Sequence, residues 1–283
     1  MSDTSVPAIP DVVRARSHRL EARLVELGSV VIAFSGGIDS AFLAVVARRV
    51  LGRRALAVTG DSASYPEHHR RQALGVARDF QLTHEIVPTR ELERDGYRAN
   101  AGDRCFHCKT ELYGTLTGLA RARGFGAVVD GSNADDRGDY RPGRAAAAEH
   151  GVLSPLDEAE LGKADIRLLA RSLGMTIWDA PASACLSSRI PHHTEVTADK
   201  LHQIERAEDA VRALGFRVFR VRHFESRARL EFAADEMARA TDVAMAEAIV
   251  SAVRATGYAE VDVDPRGYRQ GSLNEPLLLR PIS

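Results

Sequence analysis

The stretch VVIAFSGGIDS at residues 30–40 decides the fold of this chain. Its first five residues are apolar and are bounded by turn formers, which is typical of a buried strand in a parallel sheet. Residues 41–47, AFLAVVA, continue as a helix with an apolar face. A strand, a glycine turn and a helix start in this order predict a loop that binds phosphate, because Gly36 and Gly37 let the backbone approach an anion closely.

Three polar residues around the glycines fit a phosphate site. Ser35, Ser40 and the N–H groups of the helix start can donate hydrogen bonds to phosphate oxygens. Asp39 would repel a phosphate unless a divalent cation lay between them, so we interpret it as a Mg²⁺ ligand in preference to a residue that only begins the helix. The alternative for the whole motif is an ordinary strand-to-helix turn capped by Asp or Ser.

The loop is not a Walker A motif, because no Gly-Lys-Ser/Thr sequence follows it. It resembles the SGGxDS loop of the N-type ATP pyrophosphatases, the PP-loop superfamily, and all the loop positions match. Those enzymes adenylate a carboxylate or a carbonyl oxygen and release pyrophosphate. The resemblance implies cleavage of ATP, with pyrophosphate and Mg²⁺ bound by Ser35, Gly36, Gly37, Asp39 and Ser40. It leaves the acceptor open.

Composition excludes several other classes of protein. The 283 residues are 45% hydrophobic and 27% charged, which is ordinary for a soluble globular protein with room for two domains. No run of about 18 apolar residues occurs, and the first residues lack the pattern of a secretory signal, so we expect a cytoplasmic protein without a membrane span. A net charge of −1 gives no general attraction to nucleic acid.

Strands and helices alternate along the first two thirds of the chain. This alternation predicts an α/β fold with a doubly wound parallel sheet, which binds ligands beyond the carboxyl ends of its strands. The predicted strands cover residues 30–34, 55–59, 84–88 and 126–131, and the predicted helices cover residues 12–27, 66–80, 109–121 and 164–173.

A domain boundary is predicted near residue 190, where the composition becomes that of a loop. Residues 1–190 form the predicted PP-loop ATP pyrophosphatase domain. Residues 191–283 form a smaller C-terminal α+β domain, which we expect to bind substrate or form oligomers and to cover one side of the nucleotide site. Its predicted helices cover residues 197–214 and 241–256, and its predicted strands cover residues 217–222, 228–232 and 260–263.

An acidic loop follows the fourth predicted strand. Because the loop begins at the carboxyl end of a strand, Asp135 or Asp136 is a candidate ligand for the cation, and Arg141 is a candidate for holding a phosphate. A solvated acidic loop, in which Asp caps a turn, explains the same residues equally well.

Three cysteines form the second candidate site. The two-residue gap between Cys105 and Cys108 lets both sulfurs face one metal or cluster, and Cys185 would supply a third thiolate and leave one iron of a cubane open. Zinc is less suitable, because His107 lies too close to both cysteines to complete a four-ligand site. A redox dithiol, or three unrelated buried thiols, are the alternatives.

Two arginines share one face of a predicted strand. In Arg220-Val221-Arg222 the alternation of a strand puts both guanidinium groups on the same side, where they would make a clamp for a phosphate or a carboxylate. A solvated strand face is the alternative. Glu208, on the preceding helix, would pair with these arginines or with solvent.

The order of the motifs is more specific than the loop. After SGGIDS come DDRGDYRPG at residues 135–143, ADIR at 164–167, ACLSSR at 184–189 and GFRVFRVR at 215–222. Together they resemble LarE, a family of sulfur transferases that helps to make the nickel-pincer nucleotide of lactate racemase. The resemblance covers roughly residues 15–275.

The resemblance implies a reaction and a sulfur source. LarE enzymes adenylate a carboxylate of pyridinium-3,5-biscarboxylic acid mononucleotide, and a sulfur nucleophile displaces AMP, so that two rounds give two thiocarboxylates. Some members sacrifice the sulfur of one cysteine at the position of Cys185, whereas others bind a 4Fe-4S cluster through three cysteines. Because Cys105 and Cys108 accompany Cys185, the chain resembles the cluster kind, with Cys185 as a cluster ligand.

The resemblance also implies roles for other polar residues. Arg220 and Arg222 would hold the phosphate of the mononucleotide or of AMP, with Glu208 nearby. Ser188 and Arg189 would shape the transfer site. Members of the family form homo-oligomers, and a sulfide or a cysteine desulfurase is the implied sulfur donor.

Three rival functions use the same features. A cluster-bearing tRNA thiolase also combines an SGGxDS loop with three cysteines, but the neutral charge and the lack of a basic extension count against it. An ammonia-using amidotransferase would adenylate a carboxylate without sulfur. A module that senses ATP and binds structural zinc would catalyse nothing.

Overall fold

The computed structural model describes residues 8–137, 142–181, 184–269 and 273. The chain divides into two compact units. The first contains Met1–Glu91 and Cys105–Ser183, and the second contains Leu92–Arg104 and Ala184–Ser283. Leu92–Arg104 therefore packs with the C-terminal part of the chain, whereas the sequence predicts this segment in the first domain. The boundary near residue 190 stays a prediction.

The first unit contains a parallel sheet. Its strands are β1 (Val30–Ala33), β2 (Ala55–Asp61), β3 (Thr83–Pro88) and β4 (Ala127–Val129), in the spatial order β3-β2-β1-β4. All of these pairings are parallel, so the predicted α/β fold is confirmed. β1 lies inside the sheet with every residue buried, which is why the sequence before the loop is uniformly apolar.

Helices connect the strands within both units. In chain order they are α1 (Asp11–Leu27), α2 (Ile38–Leu51), α3 (Glu67–Asp79), α4 (Asp95–Ala99), α5 (Arg104–Arg123), α6 (Pro142–Glu149), α7 (Pro155–Glu158), α8 (Lys163–Ser172), α9 (Ala198–Ala213), α10 (Ala234–Ala240) and α11 (Val243–Arg254). α2 contacts β1, β2, α1 and α8, which explains why it is buried on almost every side. Among the described residues, no helix has the length and apolar character needed to cross a membrane.

The second unit contains a small mixed sheet. β5 (Phe219–Phe224) and β6 (Arg227–Phe232) are antiparallel, and β7 (Glu260–Val263) lies parallel to β6. Helices α9 and α11 pack together beside this sheet, over a core that includes Phe216, Phe219 and Phe232. The predicted α+β character of the C-terminal part is therefore confirmed.

Candidate functional site

Two glycines shape the loop between β1 and α2. Gly36 has a φ of +72°, a conformation that favours glycine. A Cβ atom at Gly36 would also lie 2.8 Å from the Cβ atom of Ala73 on α3, which is closer than real side chains approach. Gly37 is the N-cap of α2 and makes no side-chain cap. A helix start without a side-chain cap at its N-cap residue is the kind of place where an anion can bind to backbone N–H groups.

Side-chain hydrogen bonds hold this loop in shape. Ser40 Oγ accepts from the N–H of Ser35 at 3.2 Å and donates to the carbonyl of Gly37 at 3.1 Å. Gln72 Nε2 donates to the carbonyl of Gly36 at 2.8 Å. The hydroxyl proton of Ser40 is therefore engaged inside the loop, and a direct bond from Ser40 to phosphate stays a prediction.

The end of β4 lies against the start of α2. A Cβ atom at Gly131 would be 2.8 Å from the backbone nitrogen of Ser40, so only glycine fits there. The preceding residue, Asp130, is buried and accepts hydrogen bonds from the hydroxyls of Tyr113 at 2.7 Å and Ser154 at 2.8 Å. These contacts fix the edge of the sheet beside the loop.

The acidic residues near this edge occupy different settings. Asp39 is half-buried in the first turn of α2. Asp135 Oδ2 accepts from the N–H of Lys163, the first residue of α8, at 2.7 Å. Asp136 Oδ2 accepts from the N–H of Asn133 at 3.1 Å and completes a capping box. These bonds fit the capping interpretation of Asp135 and Asp136, and a cation site at either residue stays a prediction.

Cys105 and Cys108 lie near the start of α5, Cys105 exposed and Cys108 half-buried, and neither forms a disulfide. Their spacing of three residues puts both on one face of the helix. The pKa of Lys109 is raised, chiefly by Tyr113 and more weakly by the two thiols. Among the described residues of either unit, no three His, Cys, Asp or Glu side chains lie together as a metal site, and a cluster stays a prediction.

The third cysteine lies in a turn of the second unit. Cys185 is half-buried and precedes a short 3₁₀ helix, Leu186–Arg189. Its Sγ atom is 3.1 Å from Ser187 Oγ. Its carbonyl accepts from Ser188 Oγ at 2.8 Å and from Arg189 Nη1 at 2.9 Å. Ser188 and Arg189, predicted to shape the transfer site, therefore hold the backbone of Cys185.

Glu208 pairs with Arg189 and not with the arginines of β5. The two side chains are 2% exposed and make two charged hydrogen bonds. Burial by itself would raise the pKa of Glu208, but the charge and hydrogen bonds of Arg189, with the charge of Arg220, hold that pKa at about 2. Burial acts to lower the pKa of Arg189, whereas Glu208 raises it above its ordinary value. Both groups are therefore charged.

Arg220 and Arg222 share one face of β5, as predicted, but that face is buried and not solvated. Arg222 donates to Glu231 Oε2 through Nε at 3.0 Å and through Nη2 at 2.7 Å. The guanidinium of Arg220 lies 4.8 Å from the ring centre of Tyr268, and burial, with Arg189 nearby, lowers its pKa. The candidate Arg141 lies outside the described residues.

Sequence reasoning missed three residues of the segment Leu92–Arg104. Tyr97, Asn100 and Arg104 are buried and contact the turn that carries Cys185. Most of their hydrogen bonds go to main-chain carbonyls, which leave no periodic pattern in a sequence. The available signal was the position of Arg104, directly before the cysteine pair.

Known proteins resemble this chain over different lengths. A family model described as NAD synthase matches residues 12–105, which include the loop and α2. The probable tRNA sulfurtransferase of Methanobrevibacter smithii is 28% identical over 199 residues, which are 66% of this chain but 50% of that protein.

Two other relatives match almost the whole chain. The pyridinium-3,5-bisthiocarboxylic acid mononucleotide synthase of Lactiplantibacillus plantarum is 35% identical over 260 residues, which are 91% of this chain and 93% of that protein. The Synechocystis protein slr1717, named as uncharacterized, is 41% identical over 267 residues, which are 94% and 99% of the two chains. Residues of both units therefore contribute to these matches.

Proposed function

The chain belongs to the LarE family of ATP-using sulfur transferases in the PP-loop superfamily, and we propose that it converts pyridinium-3,5-biscarboxylic acid mononucleotide to its bisthiocarboxylic form. The observation that carries this proposal is the likeness to the L. plantarum synthase, which extends far beyond the ATP loop. The product would serve the synthesis of the nickel-pincer nucleotide.

The first step is adenylation. A carboxylate oxygen of the substrate attacks the α-phosphorus of ATP, and the bond from that phosphorus to the bridging oxygen breaks, which releases pyrophosphate. The N–H groups at Gly36, Gly37 and the start of α2 would hold the leaving pyrophosphate, and Ser35 would add its hydroxyl. Asp39 fits Mg²⁺, because it presents a carboxylate at the same helix start. Mg²⁺ would neutralise charge on the departing group.

The second step replaces AMP by sulfur: a carbon–sulfur bond forms, and the bond from that carbon to the AMP oxygen breaks. The donor set of Cys105, Cys108 and Cys185 is of the kind that holds iron–sulfur clusters. A 4Fe-4S cluster with one open iron would supply a transferable sulfide, reloaded from sulfide or from a cysteine desulfurase. The alternative is a single use of Cys185, in which its Cβ–S bond breaks and dehydroalanine remains.

The second unit supplies candidates for binding the mononucleotide. Arg220 and Arg222 would hold its phosphate or that of AMP, although Arg222 would share its guanidinium with Glu231. Glu208 and Arg189 are buried in the same unit, where their charges neutralise each other. Ser188 and Arg189 would then keep Cys185 oriented for transfer.

One experiment separates these chemistries. Protein purified without oxygen is assayed for iron and acid-labile sulfide, and pyrophosphate release is measured with ATP and the mononucleotide. About four irons per chain, lost in Cys105→Ala and kept in His107→Ala, would support the cluster. No iron, with dehydroalanine at residue 185 after turnover, would establish single use of Cys185. The size of the predicted homo-oligomer is measured on the same sample by light scattering.

The same assay tests the substrate. Pyrophosphate release that requires the mononucleotide, followed by its conversion to a thiocarboxylate, supports the proposal. Release stimulated by tRNA and not by the mononucleotide would favour the tRNA thiolase instead. Full activity after all three cysteines are changed to serine would favour an ammonia-using enzyme.

A further inference from the structure

The segment Leu92–Arg104 supports the turn that carries Cys185. Asn100 is fully buried and adopts a left-handed conformation, with a φ of +54°. Its Nδ2 atom donates to the carbonyls of Pro191 at 2.8 Å and Thr194 at 3.0 Å. Its own carbonyl accepts from the N–H of His193 at 3.0 Å. A segment from the middle of the chain thus fixes the residues that follow Cys185.

Ser187 connects the segment Leu92–Arg104 to the sulfur of Cys185. The hydroxyl of Tyr97 donates to Ser187 Oγ at 3.1 Å, and Arg104 Nη1 donates to the carbonyl of Ser187 at 2.8 Å. Ser187 Oγ is in turn 3.1 Å from the Sγ atom of Cys185. Tyr97 and Ser187 are buried, so these bonds are protected from water. Ser187 is therefore held at two points, and its hydroxyl lies beside the sulfur.

The charge of Arg104 has a different setting from those of Arg189 and Arg222. Each of those two is buried against a carboxylate. Arg104 is 8% exposed, and its hydrogen bonds go to neutral acceptors, the side-chain oxygen of Asn100 and the carbonyl of Ser187. Within the described parts of the chain, no carboxylate pairs with it. A neutral donor would make such bonds without the cost of burying a cation, so the charge calls for another reason.

We propose that Arg104 is a positioning residue that fixes the Cys185 sulfur through Ser187 and supplies a positive charge to the anion that reacts there. The nature of that anion, a sulfur species or the acyl-adenylate, rests on the proposed function. The position and charge of Arg104 do not depend on the proposed function. Their effect can be measured from the reactivity of the Cys185 sulfur alone.

The charge is tested with two alkylating reagents on the apoprotein, one neutral and one anionic. The rates at which iodoacetamide and iodoacetate modify Cys185 are measured by mass spectrometry at one pH and low salt, where charges are least screened. Their ratio cancels changes in exposure and in thiolate fraction, which affect both reagents. In Arg104→Met and Arg104→Gln we expect the iodoacetate rate to fall threefold or more relative to iodoacetamide. Arg104→Lys should keep the original ratio.

Arg98→Met is the matched control. Arg98 lies on the same segment, but it is more exposed and pairs with Asp95 and Glu195. Its loss should leave the ratio of rates unchanged. An unchanged ratio in Arg104→Met and Arg104→Gln, or an equal fall in Arg98→Met, would overturn the proposed charge effect.

Positioning is tested by comparing the two half-reactions. In Tyr97→Phe, which keeps the aromatic ring and removes the hydroxyl, and in Arg104→Lys, we expect the amount of thiocarboxylate formed per pyrophosphate released to fall tenfold or more. An equal fall of both half-reactions would assign these residues a structural role only. If wild-type protein transfers no sulfur at all, the proposed function fails, but the ratio of alkylation rates still decides the role of Arg104.

Discussion

The guanidinium of Arg189 and the carboxylate of Glu208 form a buried ion pair with two parallel hydrogen bonds. Nε donates to Oε1 at 2.8 Å, and Nη2 donates to Oε2 at 2.9 Å. The remaining nitrogen, Nη1, donates to the carbonyls of Ala184 and Cys185, each at 2.9 Å. The pair therefore links α9 to the turn that carries Cys185. Because Glu208 holds the guanidinium of Arg189 in place, Arg189 can bind the carbonyls of that turn.

Glu208→Gln should lower the free energy of unfolding by about 3 kcal/mol, because it leaves the charge of Arg189 buried without a carboxylate. The measurement is urea unfolding near neutral pH. The neighbouring variant Asp209→Asn is the control, since Asp209 pairs with Arg212 at the partly exposed surface of the same helix. We expect that change to cost less than about 1 kcal/mol. Equal costs for the two variants would contradict the structural role of the buried pair.

The same pair predicts the response to acid. The pKa of Glu208 is about 2 in the folded protein against 4.5 as its ordinary value, so the unfolded chain binds its proton first as the pH falls. The stability from this group is complete above about pH 4.5 and is lost as the pH falls toward 2. Unfolding followed at several pH values in this window should show a smaller slope for Glu208→Gln than for the wild type. Identical slopes would show that Glu208 does not titrate with folding.

The sequence predicted the first unit well because its signals are local. Apolar runs such as Val30–Ala33 mark buried parallel strands, and the glycine turn marks the helix start that follows. Predicted helices and strands of the second unit are likewise found near their expected positions. Periodicity is a property of neighbouring residues, so it survives without knowledge of the tertiary fold.

Contacts between side chains that lie far apart in the sequence could not be predicted from local patterns. Arg222 lies opposite Arg229 across β5 and β6, and it reaches Glu231 diagonally. That pairing depends on the register of the two strands, which no local pattern gives. The support of the Cys185 turn by Asn100 and Arg104 joins residues 90 and 83 positions apart through hydrogen bonds to main-chain carbonyls. The sequence alone therefore identified candidate residues, but it did not show which of them form hydrogen bonds or ion pairs with each other.

Gly36→Ala should reduce ATP-dependent pyrophosphate release at least tenfold. The new methyl group would meet Ala73 at 2.8 Å, and the φ of +72° is strained for any residue with a Cβ atom. Gly75→Ala is the control on α3, because a Cβ atom there meets nothing within 4 Å. That change should raise helix stability by up to about 1 kcal/mol and leave activity intact. Normal release by Gly36→Ala would show that the shape of the loop is not required.

Asp39→Asn distinguishes the two interpretations of the loop carboxylate. If Asp39 holds Mg²⁺, the loss of one negative charge should raise the Mg²⁺ concentration for half-maximal pyrophosphate release at least tenfold, because Mg²⁺ prefers charged oxygen ligands. If Asp39 only begins α2, asparagine serves nearly as well at a helix start, and the cost is a lost dipole interaction of about 0.3–1 kcal/mol.

The measurement is a titration of pyrophosphate release with Mg²⁺ at saturating ATP, together with thermal unfolding of the apoprotein. Asp11→Asn, a change at the exposed first turn of α1, controls for the general effect of removing a charge from a helix start. A shifted Mg²⁺ requirement in Asp39→Asn alone, with unfolding nearly unchanged, supports the metal role. A shared loss of stability with an unshifted titration would instead reduce Asp39 to a residue that begins the helix.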